Sequence, residues 1–582
     1  MDCFVPRSAA GIFANYAAWV RAHDTLDDAA RGAIADDVAR LPHRPLISLL
    51  LPLDAGAAGG LAATLATLRG QLYPHWEVCA AGRSDAAGVF AAAAAHDPRL
   101  RLVDPSPFAD PAVAANAALG ASEGAFVALL APGDQLAEQA LYEVAVALAG
   151  APETELLYTD EDRIDAAGER AAPRFKTGWD PDLLLACDYV GSLAVWRRTV
   201  IVGVGGLRRG FGDAAAYDLT LRATADMLPD RILHLPSVLC HRPIERDRPL
   251  HHGMLGEDAR QAQRAVRERL GAAARIEPAP LWPSANRVIW ALPDPPPLVS
   301  VIIPTRDRAS LLARAAWGVL ARTDYRPLEL LVMDNDSREA ETATVLADLA
   351  QDARVRVLRH AGPFNFAAIN NHAVQEARGE IVVLLNNDVD VIRPDWLGEM
   401  VGQALRPDVG AVGAKLLYAD GRLQHGGVVL GPGLAATHIL RLAERDDPGV
   451  NGQLALARSL LCVTGACLAM RRDVFLEVGG LNAERLGIAF NDLDLCLRLG
   501  ELGYRVVWTP FAELFHLESQ SRGAPDTPDK QAQEEREVDY LWRYWRHAFD
   551  RDPFHNPNLT CGWHEPLRLC PPRRRKPWQR AA

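Results

Sequence analysis

Apolar residues along this chain fall into short runs bounded by prolines, glycines and polar turns. Longer stretches with helical spacing separate them. The run Leu46 to Leu51, between Pro45 and Pro52, reads as a buried parallel strand. The event recurs at Pro297-Leu298-Val299-Ser300-Val301-Ile302-Ile303-Pro304. In front of that second run, Ala291-Leu292-Pro293-Asp294-Pro295-Pro296-Pro297 reads as a stiff linker. In both halves strand runs alternate with helical stretches, which predicts βαβ units and a mostly parallel, Rossmann-like sheet.

Further landmarks recur in order. Gly124-Ala125-Phe126-Val127-Ala128-Leu129-Leu130 answers Gly379-Glu380-Ile381-Val382-Val383-Leu384-Leu385, and Val204-Gly205-Gly206-Leu207 answers Val478-Gly479-Gly480-Leu481. Tyr217-Asp218-Leu219-Thr220-Leu221-Arg222 answers Leu493-Asp494-Leu495-Cys496-Leu497-Arg498, and His241 answers His516. Counting from the first glycine sets Gly133 opposite Asp388 (133 − 124 = 9; 388 − 379 = 9). The expectation is an α/β chain with two copies of one domain. Residues 1–44 form a helical extension, 45–250 the first copy, 251–296 a helical connector and Pro-rich linker, 297–525 the second copy, and 526–582 a C-terminal helix and basic tail.

Length alone, 582 residues, points to three or four ordinary domains; the repeat reduces this to two large ones. A hydrophobic fraction of 49% with 23% charged residues excludes wholesale disorder. No apolar run reaches the roughly 18–20 residues that span a bilayer. Met1-Asp2-Cys3-Phe4 does not begin a basic region followed by an apolar stretch, so the expected location is cytoplasmic. Lys and Arg total 62 against 74 Asp and Glu, and the net charge of −12 argues against a nucleic-acid binder. An acidic chain that takes an anionic substrate needs a local cation, which makes metal a reasonable expectation. None of the nine cysteines forms a CxxC pair, so they read as buried small hydrophobes.

Candidate chemistry concentrates in the second copy. The strand Ile381 to Leu385 runs into Asn386-Asn387-Asp388-Val389-Asp390, at the sheet end where open α/β folds bind ligands. Asp388 and Asp390, at i and i+2, are hard oxygen donors suited to Mg²⁺ or Mn²⁺ on a diphosphate; a polar turn explains them equally. Asp334 ends the strand Leu328 to Met333 and either accepts a hydrogen bond from a nucleobase or caps a helix. Asp492 lies in the first turn of a helix, as a dipole-favoured cap or as a general base facing a pocket. His516 follows the strand Arg505 to Trp508, as a metal ligand or a structural histidine. Gly431-Pro432-Gly433-Leu434-Ala435-Ala436 formally fits a dinucleotide fingerprint, but proline fills a variable position and no ribose-binding acid follows in a βαβ unit.

Taken in order, Val301-Ile302-Ile303-Pro304-Thr305, Val332-Met333-Asp334-Asn335, Phe364-Asn365-Phe366-Ala367-Ala368-Ile369-Asn370-Asn371, Leu385-Asn386-Asn387-Asp388, Phe490-Asn491-Asp492-Leu493-Asp494 and Phe515-His516 resemble glycosyltransferase family 2 with its GT-A fold. The resemblance covers residues 45–245 and 297–522. The FNFAAINN form, NND in place of D-x-D, and Gln424-His425-Gly426-Gly427 are similar to the bacterial rhamnosyltransferase and O-antigen branch. The resemblance implies inverting sugar transfer from a nucleotide-diphosphate sugar, with dTDP-rhamnose the first donor to try, to a glycan or lipid-linked acceptor. It implies that Pro304, Thr305, Asp334 and Asn370 contribute to holding the nucleotide sugar. It further implies that Asn387 and Asp388 hold ribose, diphosphate and metal, that His516 completes the metal shell, and that Asp492 deprotonates the acceptor. Asn386 departs from the first Asp of D-x-D and weakens charge neutralisation of the metal.

In the first copy Ala131-Pro132-Gly133 stands for Asn386-Asn387-Asp388, Gly82-Arg83 for Asp334-Asn335, and Ala215-Ala216 for Asn491-Asp492. Only Asp134, His241 and the acidic stretch Tyr158-Thr159-Asp160-Glu161-Asp162 persist. Three readings follow: one transferase site beside a degenerate copy, a bifunctional enzyme, or a non-catalytic glycan or nucleotide-sugar binder. Near the C-terminus, Leu541-Trp542-Arg543-Tyr544-Trp545-Arg546 and Pro571-Pro572-Arg573-Arg574-Arg575-Lys576-Pro577-Trp578 read either as a peripheral contact with an anionic membrane surface or as a solvated tail.

Overall fold

The computed structural model describes residues 11–53, 58–82, 85–104, 110–244, 256–433, 435–517, 528–562 and 566–579. Arg83, Leu434 and the expected boundaries at 250/251 and 525/526 lie outside the described residues.

The α/β class with parallel-rich sheets stands as expected. From one edge, the first sheet runs Leu100–Asp104, Trp76–Ala81, Ile47–Pro52, Phe126–Leu129, Val195–Arg197, Leu156–Ile164, Ile232–Pro243 and Gln135–Leu136. The second runs Val355–Arg359, Leu328–Asp334, Val299–Thr305, Ile381–Leu385, Cys467–Arg471, Val409–Leu417, Arg505–His516 and Val389–Val391. Both contain four parallel strands, then an antiparallel one, and both end on a short antiparallel strand paired to the longest strand. The central strands are buried along nearly their whole length, which is why they read as continuous apolar runs.

Polar contacts repeat as closely as the strands do. Ser48 Oγ donates to Glu77 at 2.6 Å and accepts Gly124 N at 2.8 Å; Ser300 Oγ does the same with Glu329 at 2.6 Å and Gly379 at 2.8 Å. A Cβ on either glycine would lie 2.5–2.7 Å from that hydroxyl, so the position demands glycine. Asn116 clasps the backbone of Leu207, and Asn371 clasps Leu481. Arg222 joins Asp218 to the carbonyls of Val204 and Gly206, while Arg498 joins Asp494 to those of Val478 and Gly480.

The connector differs from expectation. Residues Glu257–Leu270 are helical, but Ala274–Ala279 and Trp282–Trp290 then form an antiparallel hairpin. Alternation there is broken, because the pairing register shifts at Pro278/Ala279 and the burial pattern is irregular. The hairpin supplies a cation to the second copy. Arg287 reaches Glu399 at 3.2 Å, and Thr509 Oγ donates to the same carboxylate at 2.9 Å. The first copy has a matching glutamate, Glu143, with Ser237 Oγ at 2.8 Å. Its cations come from the C-terminal tail: Arg574 at 3.1 Å and Lys576 at 3.0 Å.

The tail is therefore neither a solvated segment nor a free basic patch. Lys576 is 8% exposed, Trp578 packs on Tyr142, and Lys576 also reaches Asp24 at 3.6 Å. Burial pushes the Glu143 carboxyl upward, but Lys576 and Arg574 outweigh it and hold the group below its ordinary range. A buried carboxylate stripped of its cations is costly, and deleting residues 571–582 is expected to reduce stability by about 3–5 kcal/mol, read as a lower urea midpoint.

The N-terminal extension is helical over Tyr16–His23 and Asp28–Arg40, the second helix capped by Asp27. It lies against the first copy through Tyr16 Oη, which donates to Asp162 at 2.7 Å, and through Asp24, which pairs with Arg170 at 2.7 Å. The two copies meet at a buried polar joint. Asp180 accepts the Ser459 amide at 3.0 Å, and Asp182 pairs with Arg406 and Arg505.

Candidate active site

A cavity of about 500 Å³ opens at the carboxyl end of the second sheet. Strand Val299–Thr305 delivers Pro304 and Thr305, strand Ile381–Leu385 delivers the turn Asn386–Asp388, helix Asn491–Glu501 delivers Asp492, and strand Arg505–His516 delivers His516. Four separate stretches of sequence thus converge on one space. A larger cavity of about 1400 Å³ between the two copies, lined among others by Trp179, Trp290 and Arg406, contains none of these residues.

Asp388 and His516 face each other. Strand pairing sets Val389 opposite His516, and the residue before Val389 places its Oδ1 3.2 Å from His516 Nε2. Asn386 Nδ2 is 3.3 Å from the same nitrogen, and His516 Nδ1 is buried without a hydrogen-bond partner among the described residues. Donors bound to one Mg²⁺ or Mn²⁺ at about 2.1 Å in adjacent octahedral positions stand roughly 3 Å apart, so this pair fits a hard divalent ion. The described residues hold no group of three or more His, Cys, Asp or Glu able to bind a metal. For an ion held here the remaining ligands would be phosphate oxygens and water, which is the ordinary way Mg²⁺ is held beside a nucleotide.

Asp492 is held rigidly. Its Oδ2 accepts Gly465 N at 2.8 Å and its Oδ1 accepts Leu493 N at 2.9 Å. Phe490, just before the helix, has φ +60, a left-handed conformation unusual for an aromatic residue, and it too lines the cavity. Burial raises the Asp492 carboxyl above the usual aspartate range; hydrogen bonds from Gly465, Leu493 and Thr464 pull the other way without cancelling it. A raised carboxyl is a stronger base once ionised.

Three expected site residues fall elsewhere. Asp390 does not line the cavity; it pairs with Arg322. The chain turns at Asn387 and Asp388 before the strand Val389–Val391 begins, so Asp388 and Asp390 do not share one extended face. Asn370 is fully buried on the inner side of helix Phe366–Glu376, where Nδ2 donates to Phe366 O at 2.8 Å. Asp334 stands beside the cavity, in register with Thr305, and its Oδ1 accepts Ser337 N at 3.1 Å as a turn cap. Asn387 lines the cavity with Nδ2 3.2 Å from Thr305 Oγ1. No sequence motif marks Arg306, Thr464 and Gly465, which also line it, whereas Phe364 and Phe366 belong to the Phe364–Asn371 motif.

The first copy lacks this arrangement. Hydrogen bonds of Arg222 and Arg498 set Ala216 at the place of Asp492 (218 − 216 = 494 − 492). Strand register shifts one equivalence: Gln135 pairs with His241 as Val389 pairs with His516, so Asp134, and not Gly133, stands at the place of Asp388. His241 Nδ1 is 2.7 Å from Asp162, and Arg242 lies 3.9 Å from Asp134. Asp160, from the same acidic stretch, holds Lys176 N, His234 and Asn556.

The model of the family described as Glycosyl transferase family 2 matches residues 300–479. The chain is 40% identical over 558 residues to the uncharacterized protein y4gI of Sinorhizobium fredii, covering 94% of this chain and 61% of that one. It is 39% identical over 562 residues to the O-antigen biosynthesis protein RfbC of Myxococcus xanthus, covering 94% of this chain and 42% of that one. It therefore spans less than two thirds of either relative. An N-acetylglucosaminyl-diphospho-decaprenol L-rhamnosyltransferase of Mycobacterium tuberculosis is 28% identical over 232 residues, 35% of this chain and 71% of its own. Among solved structures, the mannosyltransferase PcManGT of Pyrobaculum calidifontis, in complex with GDP-Man and Mn²⁺, is similar over 42% of this chain and 64% of its own, with 22% identity and a TM-score of 0.31. Residues 300–479, which carry the Pro304–Thr305 and Asn386–Asp388 walls of the cavity, thus match glycosyl transferase family 2.

Proposed function

We propose that the second copy is the sole transferase centre and moves a sugar, rhamnose being the first to try, from a nucleotide-diphosphate donor to a glycan or lipid-linked acceptor of a cell-surface polysaccharide. One observation carries the reading: Asp492, Asp388 and His516, remote in sequence, line one cavity at the ligand-binding end of the sheet. Pro304, Thr305 and Asn387 form the wall that receives the nucleotide. Asp388 and His516 would hold Mg²⁺ or Mn²⁺, which supplies charge neutralisation for the departing diphosphate. Asp492 takes the proton from the acceptor hydroxyl, whose oxygen attacks the anomeric carbon from the face opposite the diphosphate and inverts it. The similarity to RfbC and to the rhamnosyltransferase supports the polysaccharide and rhamnose assignments.

Against a second centre stand Ala215 and Ala216, which cannot take a proton, and the closure of Asp162 by Tyr16, Arg170 and His241. No helix among the described residues is long and apolar enough to cross a membrane, and with the tail docked Trp542 and Tyr544 are exposed aromatics of the C-terminal helix that a peripheral contact would use.

A thermal-shift screen of nucleotide sugars with Mn²⁺ or Mg²⁺ tests the donor assignment, because a ligand of the native state raises its melting temperature by mass action. A rise with one donor and metal, followed by transfer giving a single linkage, is the expected result; two linkages would overturn the single-centre reading. The pH profile gives a further check. Because burial raises Asp492, the acid limb of kcat/KM is expected above the ordinary aspartate value of 3.8, with activity growing as pH rises through it.

A further inference from the structure

Gln424-His425-Gly426-Gly427 lines no part of the cavity, yet His425 is fully buried just behind it. The Thr464 amide points at His425 Nε2 at 3.4 Å, so that nitrogen accepts and the ring proton sits on Nδ1. There it meets His438 Nδ1 at 2.8 Å, across rings set edge to face at 85°. Burial, with His438 and His516 nearby, holds the His425 pKa well below its usual value and keeps the ring neutral. The two glycines that follow sit in a space too tight for a Cβ. A Cβ on Gly426 would lie 2.7 Å from Leu454, and one on Gly427, at φ +103, would lie 2.1 Å from Leu460.

What His425 holds is the strip that holds the site. Thr464 and Gly465 both hydrogen-bond Asp492, and Ala466 O accepts the Asn386 amide at 3.0 Å. The strip thus links the base to the turn that carries Asp388.

We propose that His425 is a positioning residue for sugar transfer: its imidazole fixes the Thr464–Ala466 strip, which aims Asp492 and anchors the Asn386–Asp388 turn. The proposal rests on the reading of Asp492 as the base. The test compares His425→Leu, which removes the acceptor, with His425→Gln, which restores one, alongside Thr464→Val and Asp492→Asn. His425→Leu is expected to lower kcat about 10–100-fold, the size typical of orienting partners, with donor KM little changed. His425→Gln is expected to recover most of that loss. Asp492 faces Thr464, Gly465 and Cys462, while His425 faces His438 and His516. Losing the Thr464 bond removes support for the charged carboxylate, so the acid limb is expected to move to higher pH in both His425→Leu and Thr464→Val. Unchanged kcat in His425→Leu, or an unmoved limb in Thr464→Val with His425→Gln no better than His425→Leu, would overturn the proposal. Should His425→Leu fail to fold, the limb in Thr464→Val and the kcat of His425→Gln decide. Turnover surviving in Asp492→Asn would instead overturn the reading of the base itself.

Discussion

Replacing Asp492 by Asn is expected to lower kcat by about 10²–10⁴-fold, the contribution of a positioned general base. The change is nearly isosteric, and the amide oxygen still accepts one of the two backbone amides that hold the carboxylate, from Gly465 or Leu493. The cavity wall therefore stays in place, and donor binding read by thermal shift is expected to persist. What disappears is the ability to take a proton. Single-turnover transfer with saturating donor and acceptor checks this, and near-normal turnover would remove Asp492 from the mechanism. In the first copy Asp134→Asn, at the place of Asp388, is expected to leave transfer intact: Ala216 stands where a base is needed, and Arg242 already sits beside Asp134.

Much of the architecture was legible because it is written in short-range apolar pattern. Strands buried on both faces give unbroken apolar runs, and the repeated Gly-rich and Asp-x-x-x-Arg landmarks mark contacts present in both copies, such as Arg222 with Asp218 and Arg498 with Asp494. The misreadings share a physical cause, in that each depended on register or on distant partners. Counting from Gly124 set Gly133 against Asp388, but the first copy has one more residue between the parallel strand and the turn (134 − 129 = 5; 388 − 384 = 4). Asp390 looked like a second metal donor only if the chain stayed extended, and it turns at Asn387 and Asp388. The basic tail looked free because its counter-charge, Glu143, lies 433 residues away from Lys576 in sequence. Thr464 and Gly465 were invisible for a different reason: Gly465 acts through its backbone amide, which no side-chain motif records.

Asp388→Asn is expected to produce the second large loss, about 10²–10³-fold in kcat, in line with removing a group that stabilises charge developing on a leaving group. The physical argument is the shortage of acidic donors. Because Asn386 and Asn387 are neutral, Asp388 is the one carboxylate in the turn that lines the cavity, and His516, 3.2 Å away, brings no negative charge. A diphosphate brought into this space beside a divalent ion depends on that carboxylate to fix the ion's position, and Asn retains the size but not the charge. Binding separates this role from that of Asp492. Nucleoside diphosphate affinity measured by calorimetry is expected to rise on adding Mn²⁺ in the unchanged protein and in Asp492→Asn, and to lose most of that rise in Asp388→Asn and His516→Ala. Equal metal enhancement in all four proteins would dissociate the Asp388–His516 pair from metal and leave it a structural contact between the turn and the last strand.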